Sequence, residues 1–283
     1  VGRIVEGLDL TGKTVVDIGS GAGGVALTLV QEHGAGRGIG LGVERDVCET
    51  ARRLVTEAGL EDRIEIRLQD YRDVTGTFDK VVSIEMFEAV GEAYWPVYMQ
   101  RLRDLLAPGG RAALQVIVID PQAFERYRRR PDFIQRYIFP GSNLPSVKAM
   151  ATAIADRTDL VITGLEDIGL HYATTLEHWR KRFFERLEEV RALGYSEEFI
   201  RMWEYYLCVG VAAALVTVLP HMLVGGARVP LGTLAGMLAL VLALAPPTGV
   251  EQQDLNAVLN RWGDPACEPA DGRGITGPPT SKR

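Results

Sequence analysis

The sequence predicts an α/β fold: a doubly wound, mostly parallel sheet with helices on both faces and a helical lid inserted after the fifth strand. Three observations predict it. Short β-branched runs alternate with helical spacings over residues 14–119, the pattern of a parallel sheet built from crossovers. A glycine-rich stretch, Gly19-Ser20-Gly21-Ala22-Gly23-Gly24, stands where the first run feeds a helix. Three acids, Asp17, Glu44 and Asp70, fall at or just past the carboxyl ends of three successive runs, where open α/β sheets bind their ligands.

The elements follow in order. Residues 14–18 are compact and β-branched and end at Gly19, a buried strand. Helical spacing occupies 22–33, a second strand 37–43, a helix 46–58 and a third strand 63–68. Residues 78–84 read as the fourth strand and 92–106 as a helix. The Pro108-Gly109-Gly110 turn then leads into a fifth strand over 111–119. From 121 to about 156 the alternation gives way to the lid, a helical insertion dense in arginine and aromatic residues. Residues 160–165 resume the sheet, and 176–193 and 197–207 read as amphipathic helices.

Near residue 208 the composition changes. Between Glu204 and Glu251 the one charged residue is Arg228, and two apolar runs, 207–224 and 229–245, flank Gly225-Gly226-Ala227-Arg228. Each run is near the lower limit of the ~17–25 residues that span a bilayer. Two readings stand side by side: a membrane hairpin inserted through 207–245, or buried core helix or strand. The expected organisation is a domain over 1–208, an apolar extension over 209–246 and a polar, largely disordered tail over 247–283.

Composition narrows the partners. The 283 residues are 47% apolar and 24% charged, the balance of a globular chain with one large domain or one domain plus an appendage. With 31 Lys and Arg against 37 Asp and Glu there is no basic footprint for nucleic acid. Cys48, Cys208 and Cys267 are too few and scattered for a disulfide framework or a zinc site, so no metal is expected and a reducing compartment fits. No charged segment followed by an apolar one opens the chain, so nothing marks it for secretion and a cytoplasmic location is expected.

The glycine loop can be counted in two ways. Gly19, Gly21 and Gly24 match the dinucleotide fingerprint, whose pyrophosphate rests on a helix amino terminus. Gly19, Gly21 and Gly23 match the loop that binds S-adenosylmethionine. Asp17 favours the second count: at the strand end its carboxylate would repel a pyrophosphate but pair with the ammonium of a methionine moiety. Glu44 stands where a carboxylate accepts both ribose hydroxyls, and Asp70 where one accepts from an adenine amino group. Taken singly, Asp17 is also a residue that ties down its loop, and Glu44 a solvated helix-start residue.

Longer motifs point to a family. Val15-Val16-Asp17-Ile18-Gly19-Ser20-Gly21, Arg67-Leu68-Gln69-Asp70-Tyr71-Arg72-Asp73 and the stretch 78–91, which contains Ser83-Ile84-Glu85-Met86-Phe87-Glu88-Ala89-Val90-Gly91, resemble cyclopropane-fatty-acyl-phospholipid synthases and the related mycolic acid cyclopropane synthases. So do Asp132-Phe133-Ile134-Gln135-Arg136-Tyr137-Ile138-Phe139-Pro140-Gly141 and His171-Tyr172-Ala173-Thr174-Thr175-Leu176 with Trp179. The resemblance covers about residues 10–207 and implies a Rossmann-like methyltransferase fold.

The resemblance further implies methyl transfer from S-adenosylmethionine to a cis double bond of an unsaturated phospholipid acyl chain, with loss of a proton and closure to a cyclopropane. Asp17, Gly19, Ser20, Gly21, Gly23, Glu44, Gln69 and Asp70 would hold the cofactor. Bicarbonate would be the base, caged by Glu88, the Ile117 backbone and Tyr172, with Gln115 at the family's usual histidine position. Glu88 and the anion would share a proton, because two bare anions repel. Gln115 can donate to the anion but cannot titrate. C-methylation of another lipid, and a catalytically silent cofactor-binding relative, share these motifs. The resemblance is compatible with a homodimer and with work at the inner face of a membrane, where Arg126, Arg128, Arg129 and Arg130 could meet anionic headgroups.

Three departures stand out. The chain starts almost at the first strand, so the family's upstream segment is expected to be missing. After the second strand the family's Thr-Leu-Ser-x-Glu-Gln reads Gly42-Val43-Glu44-Arg45-Asp46-Val47. The closing motif fails after Tyr205-Tyr206-Leu207, with Gly210 at a cysteine position and Cys208 two places off. No closing strand is expected, and 209–283 reads as foreign to the family: a membrane-associating hairpin or an out-of-frame stretch.

Overall fold

The computed structural model describes residues 1–223 and 237–245. A short helix α1 (Gly2–Val5) precedes β1 (Thr14–Ile18), α2 (Gly24–Gln31), β2 (Arg37–Gly42), α3 (Arg45–Glu57), β3 (Ile64–Leu68) and β4 (Phe78–Ile84). Then come α4 (Phe87–Val90), α5 (Trp95–Leu105) and β5 (Leu106–Ile119). The lid holds α6 (Pro121–Arg129), a π-helical turn (Ile134–Ile138) and α7 (Val147–Arg157). β6 (Val161–Asp167), α8 (Gly169–Glu185), α9 (Leu187–Ala192), α10 (Glu197–Leu223) and β7 (Met237–Ala245) complete the described chain.

The strands form one sheet in the order β3-β2-β1-β4-β5-β7-β6. β1 to β5 pair in parallel, whereas β7 is antiparallel to both β5 and β6. Strands buried on both faces read as continuous apolar runs, and β1 does so with Val15, Val16 and Ile18 in the core. The helices present one stripe each. In α5 the buried residues are Trp95, Tyr98, Met99, Leu102 and Leu105, the i, i+3, i+4, i+7 recurrence of a core-facing helix. The chain leaves β1 towards β2 and β3 on one side and returns to β4 on the other. That reversal opens a crevice at the carboxyl ends of β1 and β4.

The structure departs from the sequence expectations at four places. β5 begins at Leu106 rather than 111, because Pro108-Gly109-Gly110 lies within the strand as a bulge; the pairing shifts between Phe78↔Leu106 and Lys80↔Arg111. The helix expected over 176–193 starts at Gly169, whose N–H is capped by Asp167 Oδ1 at 2.8 Å, and it breaks at Arg186. The helix expected to end at 207 continues to Leu223, so the compositional change near 208 falls inside α10. Gly210 is used there: a Cβ on it would lie 2.8 Å from Leu176 Cδ1, so the glycine lets α10 approach α8.

The fourth departure is the closing strand. Residues 237–245, the second half of the second apolar run, form β7 between β5 and β6, with Ile117↔Ala239 and Leu165↔Leu242 in register. An apolar run of this length is compatible with a strand as well as with a membrane segment, and residues 237–245 pair with the edges of β5 and β6. Among the described residues no helix is long and apolar enough to cross a membrane. The expected tail over 247–283 lies outside the described residues.

Candidate active site

The crevice is built from two clusters that touch. The first is the β1–α2 loop. Gly19, Gly21 and Gly23 all have positive φ, at 82°, 51° and 82°. Gly23 is the left-handed amino cap of α2, and a Cβ there would sit 3.1 Å from Ala51 Cβ on α3. Gly24 has an ordinary backbone and open space around it. Positive φ thus falls on Gly19, Gly21 and Gly23 and not on Gly24. The third glycine of the dinucleotide pattern exists for close packing, and Gly24 has nothing to pack against.

Asp17 lies at the end of β1 with 2% exposure. Its Oδ2 and Ser20 Oγ are buried without a hydrogen-bond partner among protein atoms. Burial pushes the Asp17 carboxyl up to about 7, with the nearby Ser20 hydroxyl offsetting part of the effect. A buried carboxylate lacking a partner is costly, and a cationic ligand group removes that cost. These acceptor oxygens fit the ammonium of S-adenosylmethionine.

The other residues expected to hold the cofactor line the neighbouring strand ends. Gly19 and Ser20 donate their N–H groups to Leu41 O on β2, at 3.1 and 2.9 Å. Gln69 N–H donates to Gly42 O at 2.8 Å, bringing the end of β3 to the end of β2. Glu44 is the amino cap of α3, exposed, with no cap hydrogen bond from its side chain. Asp70 accepts from Arg72 N at 2.8 Å and from the Arg72 guanidinium at 3.0 and 2.7 Å, and this partner holds its carboxyl below the usual range. Gln69 Nε2 donates to Asp73 O at 3.0 Å. Asp70 and Gln69 thus also shape their own turn.

The second cluster follows β4. A Cβ on Gly19 would meet Met86 Cγ at 2.8 Å, so the glycine loop abuts this segment directly. Glu88 is 7% exposed, accepts from Ile117 N–H at 2.6 Å through Oε1, and has no partner for Oε2. Burial pushes its carboxyl up to about 7, the Ile117 N–H offsets part of that, and the charge of Glu85 adds to it. Gln115 on β5 and Tyr172 on the first turn of α8 are both 8% exposed. The structure brings Glu88, Ile117, Gln115 and Tyr172 together, as expected.

It also places two residues there that sequence reasoning missed. Glu85 continues the β4 ladder through its N–H to Gln115 O at 2.9 Å, and it holds a positive φ of 52°. Its Oε1 accepts from Gln115 Nε2 at 2.6 Å, and its carboxylate accepts from the Tyr172 hydroxyl. Tyr206 on α10 hydrogen-bonds Tyr172, and burial pushes its hydroxyl up to about 12. A signal for Glu85 existed: it is a fourth acid at a strand's carboxyl end, the position that singled out Asp17, Glu44 and Asp70.

The lid closes this cluster. Asp132 and Gln135 cap each other's backbone N–H groups at 3.1 and 2.9 Å, and Gln135 Nε2 donates to Ser142 O at 3.1 Å. Asn143 N–H donates to the Glu88 carbonyl at 2.9 Å. Phe133 meets Tyr205 edge-on at 4.8 Å, and Phe139 meets Tyr206 at 5.7 Å. These aromatic faces fasten the lid to α10.

The bicarbonate that the resemblance implies does not fit this donor set. The Ile117 N–H is taken by Glu88, and Gln115 and Tyr172 both donate to Glu85. A third anion would face two carboxyl groups with its donors already engaged.

A seven-stranded sheet of this order, with a carboxylate-flanked Gly-x-Gly-x-Gly loop at its switch point, defines the class of S-adenosylmethionine-dependent methyltransferases. Within it, the chain belongs to the mycolic acid cyclopropane synthetase family, which it matches over residues 2–217. It is 41% identical to the tuberculostearic acid methyltransferase UfaA1 of Mycobacterium tuberculosis over 196 residues, 69% of this chain and 45% of that protein. It is 34% identical to the cyclopropane-fatty-acyl-phospholipid synthase of Escherichia coli over 221 residues, 75% of this chain and 53% of that protein. The chain thus spans about half the length of these curated relatives. The fold is shared with the mycolic acid cyclopropane synthase CmaA1 solved with SAH and CTAB: TM-score 0.70, 20% identity, 86% of this chain and 81% of that one.

Proposed function

We propose that the chain transfers a methyl group from S-adenosylmethionine to the double bond of an unsaturated phospholipid acyl chain, giving a cyclopropane fatty acid. The observation that supports this most is the buried Asp17 carboxyl, one oxygen of which has no partner, beside the positive-φ glycine loop, in contact through Met86 with a closed acid–tyrosine cluster. When bound, S-adenosylmethionine supplies an electrophilic methyl group.

The chain's own residues do the rest. Asp17 and Ser20 receive the ammonium and carboxylate end, with the Gly19, Gly21 and Gly23 backbone allowing close approach. Glu44 takes the ribose, and Gln69 and Asp70 the adenine. An alkene is a weak nucleophile, so the lid must hold it in line and keep water from the cation that forms. The buried faces of Tyr172 and Tyr206 suit that cation, an attraction worth ~2 kcal/mol or more when desolvated. Glu88, pushed up to about 7 by burial, is only partly ionised at neutral pH and can hold a proton beside the reacting centre.

The substrate lies in a membrane, and the lid offers a face for it. Arg126, Arg129, Arg130 and Arg136 are exposed on the lid together with Tyr137 and Phe139. Basic residues near an anionic surface contribute ~1 kcal/mol each, so peripheral binding at the cytoplasmic leaflet follows. A second reading, C-methylation without ring closure, is favoured by the 41% identity to a protein named a tuberculostearic acid methyltransferase. Lipid mass spectrometry after incubation with methyl-labelled S-adenosylmethionine tests both. A labelled acyl chain that has gained one CH₂ supports methyl transfer, and ring against branch is read from its fragments; no gain with cofactor bound defeats both.

A further inference from the structure

The donors that would cage an external base are filled by the chain itself, and we infer that Glu85 is a built-in catalytic base that replaces bicarbonate in this protein. The inference rests on the methyl-transfer reading above and deepens it. Gln115 Nε2 and the Tyr172 hydroxyl converge on one carboxylate, that of Glu85, and the Ile117 N–H binds another, that of Glu88. Together they leave an added anion two carboxyl groups to face, with the Gln115, Tyr172 and Ile117 donors already engaged.

The two acids divide their roles. Glu88 lies beneath the lid with its carbonyl bonded to Asn143, and it is buried. Glu85 is half-buried at the carboxyl end of β4, next to Met86, which abuts the glycine loop. Like charges this close do not both ionise readily. Burial pushes both carboxyls upward; at Glu85 the Gln115 and Tyr172 donors offset part of this, whereas at Glu88 the charge of Glu85 adds to it and carries the carboxyl to about 7. Of the two, Glu88 therefore holds a proton more readily and Glu85 carries charge more readily. The backbone shows what this placement costs: φ of 52° is a left-handed conformation that a non-glycine residue adopts only under constraint. It turns the side chain back towards Gln115 and Tyr172 at the point where β4 ends.

The step balances without another reagent. Methyl transfer leaves a cation on the adjacent acyl carbon. A proton from the transferred methyl passes to a Glu85 carboxylate oxygen, and the C–H electron pair closes the three-membered ring. Glu85 becomes a neutral acid and returns its proton to solvent before the next turnover. Tyr172, bonded to Glu85 and to Tyr206, positions the carboxylate.

The test uses the full chain and Glu85→Gly, a substitution that removes the carboxylate and relieves the positive φ, so the variant should melt no lower than the parent. Lipid methylation is measured in carbon-dioxide-free buffer with and without added bicarbonate. Binding of ¹³C-bicarbonate to the S-adenosylhomocysteine complex is followed separately by line broadening. The expected parent rate is unchanged by bicarbonate, with no saturable broadening. Glu85→Gly should lose ~10²–10⁴ in rate, the usual share of a general base, and keep its S-adenosylhomocysteine affinity. With Gln115 and Tyr172 vacated, it should also gain saturable broadening and recover rate when bicarbonate is added. A parent that needs bicarbonate or binds it saturably, or a variant within about threefold of the parent in carbon-dioxide-free buffer, overturns the inference. If the parent methylates no lipid in either buffer, the functional reading fails, and the broadening alone decides whether Glu85 fills the donors.

Discussion

Replacing Asp17 with asparagine should move stability and cofactor affinity in opposite directions. The carboxyl is 2% exposed, one oxygen has no partner, and burial carries it from 3.8 to about 7. At about 1.36 kcal/mol per pH unit, ionising it in the empty protein at pH 8 costs roughly 4 kcal/mol. The neutral amide avoids that cost, so the ligand-free variant should be more stable than the parent at pH 8, by up to a few kcal/mol and several degrees in melting temperature. The ligand's ammonium then loses its counter-charge in a buried site, a loss of ~3–5 kcal/mol and hence at least a hundredfold in S-adenosylhomocysteine affinity. Calorimetric titration and thermal melts of both proteins at pH 8 measure the two quantities. A variant that melts lower and binds S-adenosylhomocysteine within about fivefold of the parent would refute the reasoning, because Asp17 would then be an anchor of its loop.

Other outcomes follow from the same geometry. Gly23→Ala meets Ala51 at 3.1 Å with φ at 82°, whereas Gly24→Ala meets nothing; chemical denaturation should show a loss of ~1–3 kcal/mol for the first and little change for the second. Asp17 and Glu88 both sit near 7, above their ordinary 3.8 and 4.5, so the native state binds more protons than the unfolded chain between about pH 4 and 7. Stability of the ligand-free protein should therefore be greatest below that window and fall as pH rises through 7, while cofactor affinity rises over the same range as Asp17 ionises; melts and titrations at pH 5.5 and 8 read both signs. Glu88→Gln should lower lipid methylation at least tenfold with S-adenosylhomocysteine affinity within about threefold. Charge reversal at Arg126, Arg130 and Arg136 should weaken flotation with anionic vesicles by ~1 kcal/mol per site and leave binding to neutral vesicles unchanged.

Much of the fold was legible because local and global preferences agree. β1 and β4 are runs of apolar residues bounded by glycine or acid, and their extents match the sequence reading. Asp17 and the glycine loop were legible for the same reason: a strand that ends in a carboxylate and turns on Gly-x-Gly can serve few ligands. β7 was not legible, because an unbroken apolar run has no period to tell a buried strand from a spanning helix, and its partners β5 and β6 are distant in sequence. The extension of α10 past 207 was hidden likewise, since apolar residues all round a helix give no stripe. Glu85 was legible in principle but overlooked beside Glu88, and only the structure shows that Gln115 and Tyr172 converge on it. Tyr206 belongs to a motif that breaks off one residue later, so its part in the cluster emerges from packing alone.

The most direct measurement of the central claim is the transfer of isotope from methyl-labelled S-adenosylmethionine to vesicles of an unsaturated anionic phospholipid, read by mass spectrometry of the recovered acyl chains. Labelled chains heavier by one CH₂ and lacking the original double bond are expected. Unlabelled, unchanged chains, in a sample where calorimetry shows the crevice saturated with S-adenosylmethionine, would contradict it.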